Sequence, residues 1–290
     1  MKVCFLIKGF SVPSSRVRIV NLVSELEKYG IDCNIYEYPR SLLEKIKVFS
    51  VIRRFDLIYI QKCLPSVLEA FVLKKISKKI IYDFDDAIFT NQDVHEIKVR
   101  SSRYIKFKTM LKISDVVVAG NSYLAEEALK HNAHVLIIPS AVEIEKNEYE
   151  KRERNNTTVV IGWVGTDFNL PYLSEISNVI RRISLEHSIV LRIICNCSIE
   201  IPQVHVEFIP WKLETQDVEI TQFDIGIMPL PDNVHTRGKC GYKALQYMSL
   251  GVPPVVSDVG VNREIVDNGN CGVAVKTEEE FYLALKALVE

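Results

Sequence analysis

The chain has 290 residues, 48% of them apolar and 25% charged, with a formal net charge of −1. This composition excludes a disordered or low-complexity protein, and the length suits two domains of ordinary size. No apolar run reaches the roughly 18 residues needed to cross a bilayer, which excludes an integral helical membrane protein.

The first stretch, MKVCFLIKGF, is basic and then apolar, but Lys8 interrupts the run, so it reads as a buried strand rather than a signal peptide. Further apolar, β-branched runs follow at 31–38, 57–62, 79–84, 116–120 and 135–140. Most are nearly continuous in apolar character, as in parallel strands covered on both faces. Between the first two runs the spacing predicts an amphipathic helix from about Ser14 to Tyr29, capped by Ser14 or Ser15 and ended by Gly30. Residues 143–157 are polar and apolar-poor, the best linker candidate. Strand character then restarts at 158–165, 190–196, 204–211, 224–230, 253–259 and 271–275, with helical patterns at about 171–187, 240–250 and 277–289. The expectation is α/β: two Rossmann-like, doubly wound domains facing across a cleft, residues 1–147 and 148–290.

Charge is unevenly spread. Residues 1–112 hold 21 Lys and Arg against 12 Asp and Glu, and the rest holds 15 against 25, so the first half is suited to an anionic partner. Basic residues do not interleave with aromatics as a single-strand binder needs, and no nucleic acid partner is expected. Seven Cys is an odd number and several sit in apolar runs, as for free buried thiols in a reducing cytoplasm. Cys195 and Cys197 lack a second ligand pair at zinc spacing, so no metal is expected.

In open parallel sheets, ligands bind beyond the carboxyl ends of the strands. The polar residues after each run are therefore the site candidates. In the first half they are Ser14, Ser15, Arg16, Arg18, Lys62, Asp83, Asp85, Asp86 and Asn121; in the second, Gly165, Thr166, Asn196, Trp211 and the stretch from Pro231 to Lys243. In that stretch a glycine-containing loop feeds a helix start, which offers backbone N–H groups and partial positive charge. Arg237, Lys239 and Lys243 add cations, and Lys239 and Lys243 are spaced to share a helix face. The pattern suits a diphosphate; a solvated basic loop is the alternative. Asp83, Asp85 and Asp86 crowd one strand end, as for acceptor hydroxyls, a metal, pairing with an Arg of the first half, or a helix cap. Trp211 suits base stacking or the core. His95, beyond the acidic stretch, is an acceptor-side candidate. Residues 97–113 carry six cations among apolar residues, and Lys74, Lys75, Lys78 and Lys79 form a second cluster; both suit an anionic leaflet or a solvated face.

The run GKCGYKALQYMSLGVPPVVS followed by GVNRE resembles GT-B glycosyltransferases of group 1, the glycosyltransferase family 4 type. YDFDDAIF (82–89), VVAGNSYLAEEA (117–128), IIPSAVE (137–143), IGWVGT (161–166) and SSRVR (14–18) are similar to one branch of that family, so the likeness spans nearly the whole chain. It implies a nucleoside-diphosphate sugar held by the second domain and a glycan or lipid-linked acceptor held by the first. It also implies retained configuration and no cofactor or metal, in surface polysaccharide or lipid-linked glycan synthesis. Arg237, Lys239 and Lys243 would be catalytic; Gly165, Thr166, Trp211, Gly238, Gln246 and Glu264 would bind donor; Arg18, Lys62, Asp83, Asp85, Asp86 and His95 would face the acceptor. The family's paired donor glutamates fall here on Gly238 and Gln246. The alternatives are a nucleotide-sugar epimerase of the same fold and a non-catalytic nucleotide-sugar-binding relative. The expected location is cytoplasmic, peripheral at the inner membrane face. The resemblance implies a terminal crossover helix after the last helix of the second domain; the sequence stops at ALKALVE, so that tail is expected to be absent or the chain truncated.

Overall fold

The structure is a computed structural model that describes residues 1–92, 94–144 and 158–290. Most of the expected linker, and the expected boundary between residues 147 and 148, lie outside the described residues. Among the described residues, strands β1 (Lys2–Ile7), β2 (Asp32–Glu37), β3 (Leu57–Gln61), β4 (Ile80–Phe84), β5 (Val116–Ala119) and β6 (Val135–Ile137) form one sheet. Its order is β2-β1-β3-β4-β5-β6, and every pairing is parallel. Strands β7 (Val159–Val164), β8 (Ile189–Cys195), β9 (Val206–Pro210), β10 (Ile225–Met228), β11 (Pro254–Ser257) and β12 (Val273–Val275) form a second parallel sheet, ordered β12-β11-β10-β7-β8-β9. Both are doubly wound Rossmann-like sheets. The strand order reverses between β1 and β3 in the first and between β7 and β10 in the second, and such switch points are where open α/β sheets hold ligands.

The period of two along each strand divides the cores. In β1, Cys4 and Leu6 enter one cluster with Ile58, Ile60, Tyr82 and Phe107, while Val3, Phe5 and Ile7 pack on the other face with Ile19. Tyr82 is fully buried, and its hydroxyl donates to the Cys63 carbonyl at 2.8 Å. In β7, Ile161 and Trp163 face one core, and Val160 and Val164 the other.

The chain separates into two compact units. The first is Met1–Ala141 together with Asn233–Cys240; the second is Val142–Asp232 together with Gly241–Glu290. Residues 233–240, numbered with the second half, thus belong to the first unit. The reason is packing: Val234 and Cys240 are buried in the core of the first sheet.

Two expected helices are broken. The first becomes Pro13–Arg18, a 3₁₀ turn Val20–Leu22 and Val23–Lys28. Its cap is Val12 with Pro13 at the first helical position, not Ser14 or Ser15, and Ser15 is buried, donating to Gln61 Oε1 at 3.1 Å. Gly30 ends the last segment with a positive φ of 74°. The second, expected at 171–187, becomes Leu170–Glu175 and Ser177–Glu186. The basic stretch 97–113 is helical only over Ser102–Ile113. Its Tyr104, Phe107, Met110, Leu111 and Ile113 are buried in the protein, so that apolar side is not available to a membrane.

No disulfide forms among the described residues; Cys4, Cys63, Cys195 and Cys240 are buried, and Cys197 and Cys271 are exposed. None of the described helices is long and apolar enough to cross a membrane.

Candidate functional site

At the carboxyl edge of the first sheet, Arg18 and Asp83 are both buried. Arg18 Nε donates to the Asp83 carboxylate at 2.8 and 3.1 Å, and Nη2 at 2.5 Å. Nη1 donates to the Ile138 carbonyl at 3.0 Å and to Ser140 Oγ at 3.3 Å. Burial pushes the Asp83 carboxyl up against the pull of the guanidinium. Arg18 and Asp83, expected to face an acceptor, instead pin the end of β4 to the first helix. Four of the five guanidinium N–H groups are thus engaged within the protein.

Lys62 follows β3 at the switch point, in the left-handed region at φ 55°. A non-glycine residue held there stores strain and is often functional. Its N–H donates to the Asp83 carbonyl at 2.8 Å. Its ammonium is mostly buried, 3.3 Å from Asp85 and hydrogen-bonded to Asp86. Burial disfavours the charged lysine, but the two carboxylates outweigh it and raise the ammonium above the ordinary lysine value. Burial also pushes Asp86 up, yet Lys62, Lys239 and His235 together hold it below the ordinary carboxylate value. The three aspartates therefore have cationic partners, and among the described residues no three His, Cys, Asp or Glu side chains gather as metal ligands.

Lys62→Met is expected to destabilise the protein at neutral pH by about 1–3 kcal/mol, because two carboxylates lose their cation. The lowered Asp86 contributes stability above its unfolded value of 3.8 and loses it as the pH falls through its folded value. Denaturant midpoints of the two proteins should therefore differ most near neutrality and converge only as the pH falls to about 2. A gap that does not change with pH would show that the lysine acts through packing alone.

Residues 233–240 are clamped to this edge. Asn121 caps the helix Ser122–Leu129, accepting from Leu124 N–H at 2.9 Å. Its Nδ2 donates to the carbonyls of Gly238 at 3.2 Å and Lys239 at 3.0 Å, and Cys240 Sγ donates to the Asp85 carbonyl at 3.2 Å. A Cβ on Gly238 would lie 2.7 Å from both the amide nitrogen and the Cβ of Ala87. Close approach therefore requires glycine where the resemblance expects a donor-binding glutamate. Arg237 and His95 are exposed, and Lys239 is half-buried.

At the switch point of the second sheet, Gly165 ends β7. A Cβ there would meet the Trp163 ring at 2.4 Å and Lys243 Nζ at 2.9 Å. The missing side chain lets the Lys243 ammonium lie at the strand end, 4.5 Å from the Trp163 ring centroid. Lys243 is in the first turn of the helix Tyr242–Ser249, whose cap Gly241 is left-handed at φ 63°. That cap separates Lys239 from this helix, so the expected pairing of Lys239 and Lys243 on one helix face does not form. A helix N-terminus and an ammonium have the same sign, so an anion placed there gains from both.

Gln246 is buried and donates to Asp217 at 2.8 Å. Trp211 is half-buried, packs against the core beside β7 and donates from Nε1 to Gln216 at 3.0 Å. Thr166 and Glu264 are exposed. Trp163 and Asn262 lie in the quoted stretches IGWVGT and GVNRE, but nothing in the spacing singles out either as a site residue. Asn262 is fully buried and donates to the Ser257 carbonyl at 3.0 Å, while its Oδ1 accepts no hydrogen bond.

A cavity of about 570 Å³ opens beyond β10, β11 and β12. Its lining includes Glu175, Asp232, Asp258 and Glu278 with a single cation, Lys276. That lining repels a diphosphate, whereas the end of β7 attracts one.

Two doubly wound parallel sheets define the GT-B fold. A structure of Anabaena Alr3699/HepE in complex with UDP and glucose superposes with TM-score 0.70 over 100% of this chain and 89% of that one, at 13% identity. UDP-GlcNAc 2-epimerase from Methanocaldococcus jannaschii gives TM-score 0.61 over 100% and 93%, at 13% identity. These likenesses establish the fold. Residues 169–290 match the model of the family Glycosyl transferases group 1. The chain is also 23% identical over 228 residues to Glucosyltransferase 3 of Streptococcus parasanguinis, which covers 72% of this chain and 65% of that protein. The chain thus spans less than two thirds of this relative's length.

Proposed function

We propose that this chain transfers a sugar from a nucleoside-diphosphate sugar to a hydroxyl acceptor, retaining the anomeric configuration and using no metal. The observation that carries this reading is the Lys243 ammonium beside the side-chain-free Gly165 at the second sheet's switch point. When the sugar–oxygen bond breaks, its electron pair stays on the departing diphosphate. Charge develops there, and a fixed ammonium with helix N–H groups stabilises it, the task a divalent ion performs in other transferases. The reading rests on Lys243 for its cation; Arg237 and Lys239 belong to the first unit. Thr166 and Glu264, both exposed, are proposed as further donor contacts. Trp211 and Gln246 support the donor edge through their bonds to Gln216 and Asp217.

The acceptor is proposed to be a glycan or lipid-linked hydroxyl compound in surface polysaccharide or lipid-linked glycan synthesis. The place proposed for it is the edge of the first sheet around Lys62, Asp85 and Asp86, with His95 nearby in sequence. The proposed location is the cytoplasm, at the inner face of the membrane.

The test is incubation of the whole chain with UDP-sugars, with and without chelator, in a mixture of lipid-linked and soluble glycan acceptors. Uridine is the first base to try because the HepE structure holds UDP. UDP release that depends on acceptor and resists chelation is expected. Interconversion of the nucleotide sugar without an acceptor would mark an epimerase. Tight UDP-sugar binding without turnover would mark a binding protein.

A further inference from the structure

We infer that Phe10 is a stacking platform for a neutral sugar ring at the carboxyl edge of the first sheet, with Gln61 and Ser14 as its polar partners. Phe10 lies in the loop between β1 and the helix Pro13–Arg18. Backbone groups of residues 9–12 brace that loop. Phe10 N–H donates to Oε1 of Glu37, the last residue of β2, at 2.9 Å. Val12 N–H closes a turn on the Gly9 carbonyl at 3.1 Å, and Arg16 Nη1 donates to the Ser11 carbonyl at 3.2 Å. Yet Phe10 itself is 48% exposed. An aromatic side chain held in water by a braced loop is already positioned for a ligand, so little ordering entropy is lost when one covers it.

The polar groups beside it define the ligand. The strand order reverses between β1 and β3, so the loop after β1 and the end of β3 border the same crevice. Gln61 ends β3 and is fully buried. Its Oε1 accepts from Ser15 Oγ at 3.1 Å, while its Nε2 has no partner among the described residues. Ser15 reaches one end of the amide only, so the other end stays unpaired whichever way the amide is turned. Ser14 Oγ is unpaired as well. Leaving a buried amide unpaired is costly, and such a group calls for a reason outside the core. The charges at this edge are already matched: Arg18 with Asp83, and Lys62 with Asp85 and Asp86. What remains is an apolar ring, an amide and a hydroxyl. That set offers no countercharge to a phosphate and suits a neutral ring that carries hydroxyls. The C–H bonds on one face of a pyranose carry partial positive charge, and the face of a phenyl ring partial negative charge. The two faces stack, and the hydroxyls at the sugar's rim take the hydrogen bonds.

One consequence rests on the transferase reading, whereas the platform does not. A transferase whose acceptor presents a pyranose extends a glycan rather than starting one. A separate transfer reaction, which places the first sugar on its carrier, must then supply that acceptor.

The test is saturation-transfer NMR of the whole chain with methyl β-glucopyranoside, methyl β-galactopyranoside and methyl N-acetyl-β-glucosaminide, and with sorbitol as an acyclic control, in the absence of nucleotide sugar. At least one glycoside is expected to receive saturation through its ring C–H protons, and sorbitol none. Phe10→Ala should weaken that binding roughly fivefold or more, and Phe10→Trp should keep it, since both rings stack. Both variants should keep the melting temperature, because the side chain is exposed. Gln61→Met, of similar length, should weaken binding about fivefold without lowering the melting temperature, because it removes an unpaired group. Four results would each overturn the inference: a parent chain that binds none of the glycosides, sorbitol bound as well as they are, a Phe10→Ala chain that binds like the parent, or a Gln61→Met chain that does so. Equal sugar transfer to a polyprenyl phosphate and to these glycosides would overturn the consequence alone. Uridine diphosphate affinity is measured separately, so a failed platform and a failed transferase reading are told apart.

Discussion

Replacing Lys243 with alanine is expected to weaken binding of uridine diphosphate by roughly 10–100-fold, the equivalent of one charge-assisted hydrogen bond in a partly desolvated place. The side chain is half-buried and held over Trp163, so its ammonium is positioned before any ligand arrives. Little further ordering entropy is then lost on binding. Uridine, which has no phosphate, should bind the variant and the parent alike. Lys243→Arg should keep part of the affinity, since a guanidinium also lies well over an indole ring but needs more room beside Gly165. Loss of the ring contact costs about 1 kcal/mol, so the fold should persist. Titration calorimetry at fixed ionic strength checks this. Equal affinities for uridine diphosphate in parent and alanine variant would move the diphosphate to another place.

Asp83→Leu is expected to be among the most destabilising single changes in the first unit, at about 3–5 kcal/mol, because it leaves a buried guanidinium without its carboxylate. The melting temperature of that unit should fall by roughly 10 °C. Arg18→Met should cost less. Burial already raises Asp83 to about 6, so the carboxyl left behind can take up a proton and become neutral, whereas a guanidinium cannot lose one. The double variant Arg18→Met, Asp83→Leu should recover most of the loss, since a buried pair replaced by apolar groups of similar volume is often neutral. Thermal melts of the four proteins form the cycle that measures the coupling. Equal losses in the two single variants, or simple addition in the double, would show that the pair is not a coupled buried ion pair.

Much of the architecture was legible from local pattern. Each of the twelve strands among the described residues falls on an apolar run, because a parallel strand covered on both faces must be apolar almost throughout. The doubly wound plan followed from the alternation of such runs with helical patterns, and the run GKCGYKALQYMSLG pointed to the region of Lys243. The helix breaks were not legible. The spacing from Ser14 to Tyr29 is continuous, and nothing in it shows that Arg18 turns inward to Asp83. Nor do the residues themselves show that Phe71 or Leu43 stays outside, because a period-3.6 pattern cannot tell two apolar sides of one helix apart.

By itself the sequence determined the α/β class, the strand positions, the charge difference between its halves and the likeness to group 1 glycosyltransferases. These depend on residue type and short-range spacing, and both are written along the chain. The tertiary structure alone decided which polar groups are spent inside and which remain for a ligand. Arg18 and Asp83 are 65 residues apart and consume each other, while Gly165 and Lys243, 78 apart, meet at a strand end. It alone assigned residues 233–240 to the first unit, through Asn121 and the close approach of Gly238 to Ala87. The physical reason is the same each time: partners distant in sequence are chosen by sheet order and packing, and no local propensity encodes that choice.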